Sequence, residues 1–178
     1  MKVSDVRGLR WAAVRRLVFV LMLVAFAGLS GSATATEISA PDGVALGGFD
    51  AVTYFNGSEP EMGDAKFSAQ YKGATFHFAS AEIRDKFLAA PTAFAPQYGG
   101  YCAFATAMAR KIDADPQAYR VVNGKLYLNA DSSTQDRWIA NMEGFIRGAD
   151  HNWPIIKGIP DADLAQAAPE GISLGPIE

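Results

Sequence analysis

The sequence predicts an α+β domain built from two β-hairpins and about three helices. Apolar and polar residues alternate in two places, each broken by a tight turn. Phe67, Ala69 and Tyr71 lead into Lys72-Gly73 and then Ala74, Phe76 and Phe78, while Arg120-Val121-Val122 leads into Asn123-Gly124 and Lys125 to Asn129. Alternation is the period of a strand with one buried face, and Asn-Gly is a strong hairpin signal. Apolar residues also recur at helical spacing behind good capping residues: Ile83 and Phe87 behind Ser80, and Trp138, Met142, Phe145 and Ala149 behind Ser133.

Residues 1–35 have the order of a cleavable secretory signal. Lys2, Arg7, Arg10, Arg15 and Arg16 form a positive start, Leu17 to Leu29 is an uninterrupted apolar run, and Ala33-x-Ala35 offers a cleavage site. The apolar run is short for a membrane span, which needs about 20 residues. Arg15-Arg16 raises the twin-arginine route, but Val14 stands where a Ser or Thr is usual, so the general secretory route is preferred. The expectation is a periplasmic or secreted protein without a stable span in its mature form.

Residues 36–157 are expected to form the domain. Thr36 to Gly48 is an entry segment, and Phe49 to Phe55 is apolar except for Asp50, which is expected to cap a turn or helix terminus, with a catalytic role the lesser alternative. A helix from Ser80 to about Ala89 ends before Pro91. A second, Ala-rich helix is expected over Tyr101 to Arg110, and a last one from Ser133 to about Ala149. Asn152-Trp153-Pro154 is expected to fold back as a plug, and 158–178 to form a flexible tail. No internal repeat is evident. The large apolar residues of strands and helices are expected to share one core.

Charge narrows the partners. The leader carries five of the sixteen basic residues and one of the nineteen acidic ones, so the remainder has 11 − 18 = −7. An acidic surface disfavours nucleic acid and anionic membrane and tolerates cations. There is no Ser/His/Asp set, P-loop or dinucleotide fingerprint, so no reaction is assigned.

Cys102 is the only cysteine, so no internal disulfide is available. It follows Gly99-Gly100 in the first turn of the expected helix, where a helix dipole favours thiolate. Tyr98, Gly99, Gly100 and Tyr101 would shape a pocket beside it. The plainer alternative is a small buried residue. His77 lies opposite Phe76 and Phe78 on its strand and could reach a metal, although a solvent-facing histidine is the plainer reading. His151, in a loop, has the same status. Met108 and Met142 lie on apolar stripes that suit a core, but a thioether can also serve a soft metal.

Several segments together resemble the YHS-domain family in its exported bacterial branch, whose relatives are often labelled selenoproteins. They are Gly48-Phe49-Asp50-Ala51-Val52-Thr53-Tyr54-Phe55, Tyr71-Lys72-Gly73-Ala74-Thr75-Phe76-His77-Phe78-Ala79-Ser80, Pro96-Gln97-Tyr98-Gly99-Gly100-Tyr101-Cys102-Ala103, Gly124 to Asn129, and Asn152-Trp153-Pro154. The resemblance implies a heavy-metal connection. It also implies that the family's cysteine positions are held here by Thr53, Ala79 and Ile83, none of which can supply a thiolate. Cys102 would be the counterpart of the selenocysteine.

These readings converge on a periplasmic binding module for a soft transition metal such as Cu(I), centred on Cys102 with His77, His151 and Met108. The alternatives are a thiol redox protein, with Cys102 catalytic towards a small thiol or oxidant, and a structural or interaction domain with an inert cysteine. No protein partner is assigned.

Overall fold

The computed structural model describes residues 37–166. The leader with its expected cleavage, and residues 167–178, lie outside the described residues. The described chain is a small α+β domain with two separate two-stranded antiparallel sheets. No helix among these residues is long and apolar enough to cross a membrane.

The first hairpin pairs β1 (Asp64–Tyr71) with β2 (Ala74–Phe78). Its turn is Lys72-Gly73, both at positive φ. Helix α1 (Ala81–Ala89) follows, with the Ser80 side chain accepting from the Ile83 amide as expected of an N-cap. A short helix α2 (Pro91–Phe94) closes this half, with proline in its first turn. Helix α3 (Ala103–Thr106) precedes the second hairpin, β3 (Asp115–Val122) with β4 (Lys125–Asn129). Helices α4 (Ser132–Ala140), α5 (Met142–Ile156) and α6 (Asp161–Gln166) complete the described chain.

Contrary to the expectation of no repeat, the two halves follow one plan. Residues 46 and 47 (Leu46, Gly47) and residues 98 and 99 (Tyr98, Gly99) all adopt left-handed backbone, and a glycine at positive φ follows each pair. The Phe49 amide donates to the Leu46 carbonyl at 3.0 Å, and the Tyr101 amide to the Tyr98 carbonyl at 3.1 Å. Phe49 bridges to Met62 and Tyr101 to Asp113, both antiparallel. Each hairpin then starts on an aspartate, slips register after its first pair, and turns through two residues at positive φ. Each is followed by a capped nine-residue helix, by Ser80 in one half and Asp131 in the other. Even the paired core rings correspond. Phe76 meets Phe87 at 5.0 Å between centroids, and Tyr127 meets Trp138 at 5.4 Å.

The core is correspondingly divided. Phe76, Phe78 and Phe87 pack in one cluster, while Trp138, Phe145 and Tyr127 anchor a second. Strand β4 feeds both, because successive side chains point to opposite faces. Leu126 and Leu128 enter the first cluster and Tyr127 the second. Phe67, Tyr71, Ile83 and Met142 are only partly buried, at the edges of these clusters. Tyr54 joins the halves: its hydroxyl donates to the Pro116 carbonyl at 3.0 Å, and its ring meets Tyr119 edge-on at 4.9 Å.

Three boundaries differ from expectation. The helix expected over 101–110 has only four residues, and Ala109 turns left-handed soon after it. The last helix is capped by Asp131 rather than Ser133 and breaks at Asn141, which caps α5 in turn. Asn152-Trp153-Pro154 lies inside α5, where the Asn152 amide donates to the Thr106 and Ala107 carbonyls at the open end of α3. Within the expected tail, Asp161–Gln166 is helical. Leu164 is buried beside Ile156 and Ala109, and the buried Lys111 ammonium reaches the Ile159 carbonyl and Asp161, each at 2.9 Å.

Candidate functional site

Asp50 and Cys102 hold corresponding places, one residue after the bridge that follows each glycine pair. Asp50 is fully buried. Its carboxylate accepts from the Val52 amide at 2.9 Å and the Ala79 amide at 2.8 Å, tying the turn to the end of β2. This is the turn-capping role the sequence suggests. Thr53 and Ala79, two positions that the YHS resemblance would give to cysteine, both bond to this aspartate. The Thr53 hydroxyl donates to the Asp50 carbonyl, and its oxygen accepts from the Glu61 amide.

Cys102 does the same work with a thiol. Its sulfur lies 3.5 Å from the Ala105 amide, capping α3, and its S–H points to the Asn129 amide oxygen at 3.9 Å at the end of β4. Its own amide donates to the Ile112 carbonyl at 2.9 Å. Only 1% of the residue is exposed. Cys102 lines neither the cleft beside Tyr98 nor the cleft beside His77, so the expected pocket edge at the sulfur is corrected. The physical reason is the shortness of α3, which buries its first turn between β4 and α5 instead of presenting it to solvent.

The other expected residues separate. Met108 packs against the second core cluster, and His151 is exposed on α5. Tyr98 and Gly99 line a cleft of about 400 Å³ with Lys72, Asp150 and Trp153. The Tyr98 hydroxyl donates to the Asp150 carboxylate at 2.9 Å, and burial with this carboxylate pushes its ionisation far above the usual range. Tyr101 is buried, with the Lys111 ammonium over its ring at 4.8 Å. Among the described residues no three His, Cys, Asp or Glu side chains gather to hold a metal ion.

His77 and Gly100 line a different cleft, also of about 400 Å³, to which both halves contribute. Gly48, Met62 and His77 come from the first half; Asp113, Pro116 and Leu128 come from the second. The repeat plan sets Met62 opposite Asp113 and His77 opposite Leu128, so equivalent positions carry unlike chemistry. A Cβ built on Gly48 would stand 3.4 Å from the Met62 methyl and 3.7 Å from His77 Nδ1. The thioether arm and the imidazole thus converge over that glycine. Ser39 and Asp42, from the entry segment, add to the lining. The Ser39 hydroxyl donates to Asp113 at 2.6 Å.

The segment 37–39 is a strap. The Glu37 carboxylate pairs with Lys72 at 2.9 Å and Lys157 at 3.2 Å. The hydrogen bond from Lys72, followed by that from Lys157, lowers its pKa below the usual carboxylate value. Ile38 enters the first core cluster, and the Ser39 amide donates to the Gly99 carbonyl at 2.8 Å. A Cβ on Gly99 would fall on the Glu37 carbonyl oxygen, so only glycine admits the strap.

Met62, Asp113, Ser39 and Asp42 are the lining residues with polar or sulfur-bearing side chains that sequence reasoning missed. No spacing rule joins them, since they meet only through the tertiary fold. No family model, curated protein or solved structure matches this chain.

Proposed function

We propose that this domain is a non-enzymatic binding module of the periplasm or cell exterior, and that it binds at the cleft between its halves rather than at Cys102. The observation that carries this reading is the convergence of His77 and Met62 over Gly48, in a cleft large enough for a small ligand and, among the described residues, lined by no lysine or arginine. Imidazole and thioether suit a soft transition metal such as Cu(I). The YHS resemblance supports the same direction, although the positions of its cysteines are occupied by Thr53, Ala79 and Ile83. Cys102 then has the structural role of its counterpart Asp50. Its burial argues against the thiol redox reading, which needs an accessible sulfur.

The test is a Cu(I) titration under a competing chelator, followed by the imidazole resonances of His77 and His151. His77 should move and His151 should not, and the Met62 methyl should move with His77. Copper bound tightly with both His77 and Met62 unmoved would overturn the site.

A further inference from the structure

The repeat gives this cleft His77 and Met62 from the first half and, at the corresponding positions of the second, Leu128 and Asp113. We propose that this cleft takes a small organic cation: an ammonium group held by the Asp113 and Asp42 carboxylates, with an apolar body against Leu46, Leu128 and Pro116. This rests on the reading of the cleft as the binding site, and it adds a second ligand class, held by residues that the second half and the entry segment give the cleft, beside the metal that His77 and Met62 suit.

Size is the first argument. A volume of about 400 Å³ far exceeds a bare ion and falls in the range of small-molecule sites. The lining is the second. Val44, Leu46, Pro116 and Leu128 give an apolar wall that an ion alone would not use, while the ionisable groups apart from His77 are two carboxylates. The third is that one carboxylate is oriented before any ligand arrives. Ser39 donates to one Asp113 oxygen at 2.6 Å, and the other accepts from no donor among the described residues. A carboxylate accepts several hydrogen bonds, so an ammonium can add to the serine rather than displace it. The strap that carries Ser39 also carries Ile38 in the core, which fixes the donor's position. Finally, among the described residues no lysine or arginine lines the cleft to compete for these carboxylates.

The experiment compares three probes of similar shape on the protein from Thr36 to Glu178: phenethylamine, 2-phenylethanol and phenylacetate. Binding is followed by amide resonances of Ser39, Leu46, Asp113 and Leu128. Phenethylamine should shift all four and bind about two- to fivefold more tightly than the alcohol, the scale of one solvent-exposed charge pair, with phenylacetate weakest. Asp113→Asn should remove most of that preference and keep the fold. Added salt should weaken the amine alone. Equal binding of amine and alcohol would overturn the cation preference while leaving the cleft as a binding site. Copper-dependent shifts at His77 with no response to any of the three probes would overturn the organic ligand while leaving the metal reading. Silence of the cleft to all three probes and to Cu(I) would overturn both.

Discussion

The two halves of this domain share a backbone plan and differ in what covers their glycine turns. In the first half the Gly47-Gly48 turn borders an open cleft and has Met62 and His77 over it. In the second, the strap 37–39 lies against Gly99, and Pro96 fills the space beside Gly100. The buried tie below the turn is a carboxylate in the first half and a thiol in the second. The comparison teaches that a residue unusual in sequence can be ordinary in its structural place. Cys102 stands where the fold needs a small polar atom to join a turn to the end of a hairpin.

The largest effects should fall on the paired core rings. Phe87→Ala and Trp138→Ala should each cost about 3–5 kcal/mol by cavity formation, measured by denaturant unfolding. Similar losses would support equivalent places in the two halves; a loss below about 0.5 kcal/mol, the surface range, would break the equivalence.

Next come the two ties. Asp50→Ala leaves two backbone amides inside without an acceptor, at about 1–3 kcal/mol each. Cys102→Ala removes one weak cap and a little volume, costing about 1–2 kcal/mol. Cys102 proving the costlier of the two would reverse the account of their roles.

The glycine turns sharpen the contrast. Gly99→Ala should displace the strap, seen as faster hydrogen exchange at the Ser39 amide. Gly47→Ala meets only the Pro116 ring edge at 3.2 Å and should cost about 1–2 kcal/mol for its left-handed backbone, without freeing the strap.

The smallest expected effect is on pH. Glu37 has a lowered folded pKa, so its contribution is present above the ordinary value of 4.5 and is lost as pH falls through the lower folded value. Exchange at Ser39 should therefore accelerate, relative to its intrinsic pH dependence, on acidification below about pH 4.5, and Glu37→Gln should flatten that extra change.

Much of the fold was legible because its signals are local. The alternation around Lys72-Gly73 and Asn123-Gly124 and the cap at Ser80 depend on neighbours in sequence. The repeat was hidden because corresponding positions keep a physical role rather than an identity: Phe76 with Tyr127, Phe87 with Trp138, Ser80 with Asp131. The second half is also one residue shorter between its bridge partners, which breaks a fixed spacing. Cys102 was correctly placed at a helix start. Its burial was not readable, because the Ala-rich run suggested a long helix and Ala109 ends it early. The cleft was least legible, since Met62, His77 and Asp113 come together only through the packing of one half on the other.

The most direct test of the central claim sets Cys102→Ser beside His77→Ala in one Cu(I) affinity measurement. With His77 at the site and Cys102 in the core, His77→Ala should weaken binding at least about tenfold, equivalent to 1.4 kcal/mol, while Cys102→Ser stays within about twofold of the parent. Loss of copper binding in Cys102→Ser, with His77→Ala unaffected and both variants folded, would contradict the account.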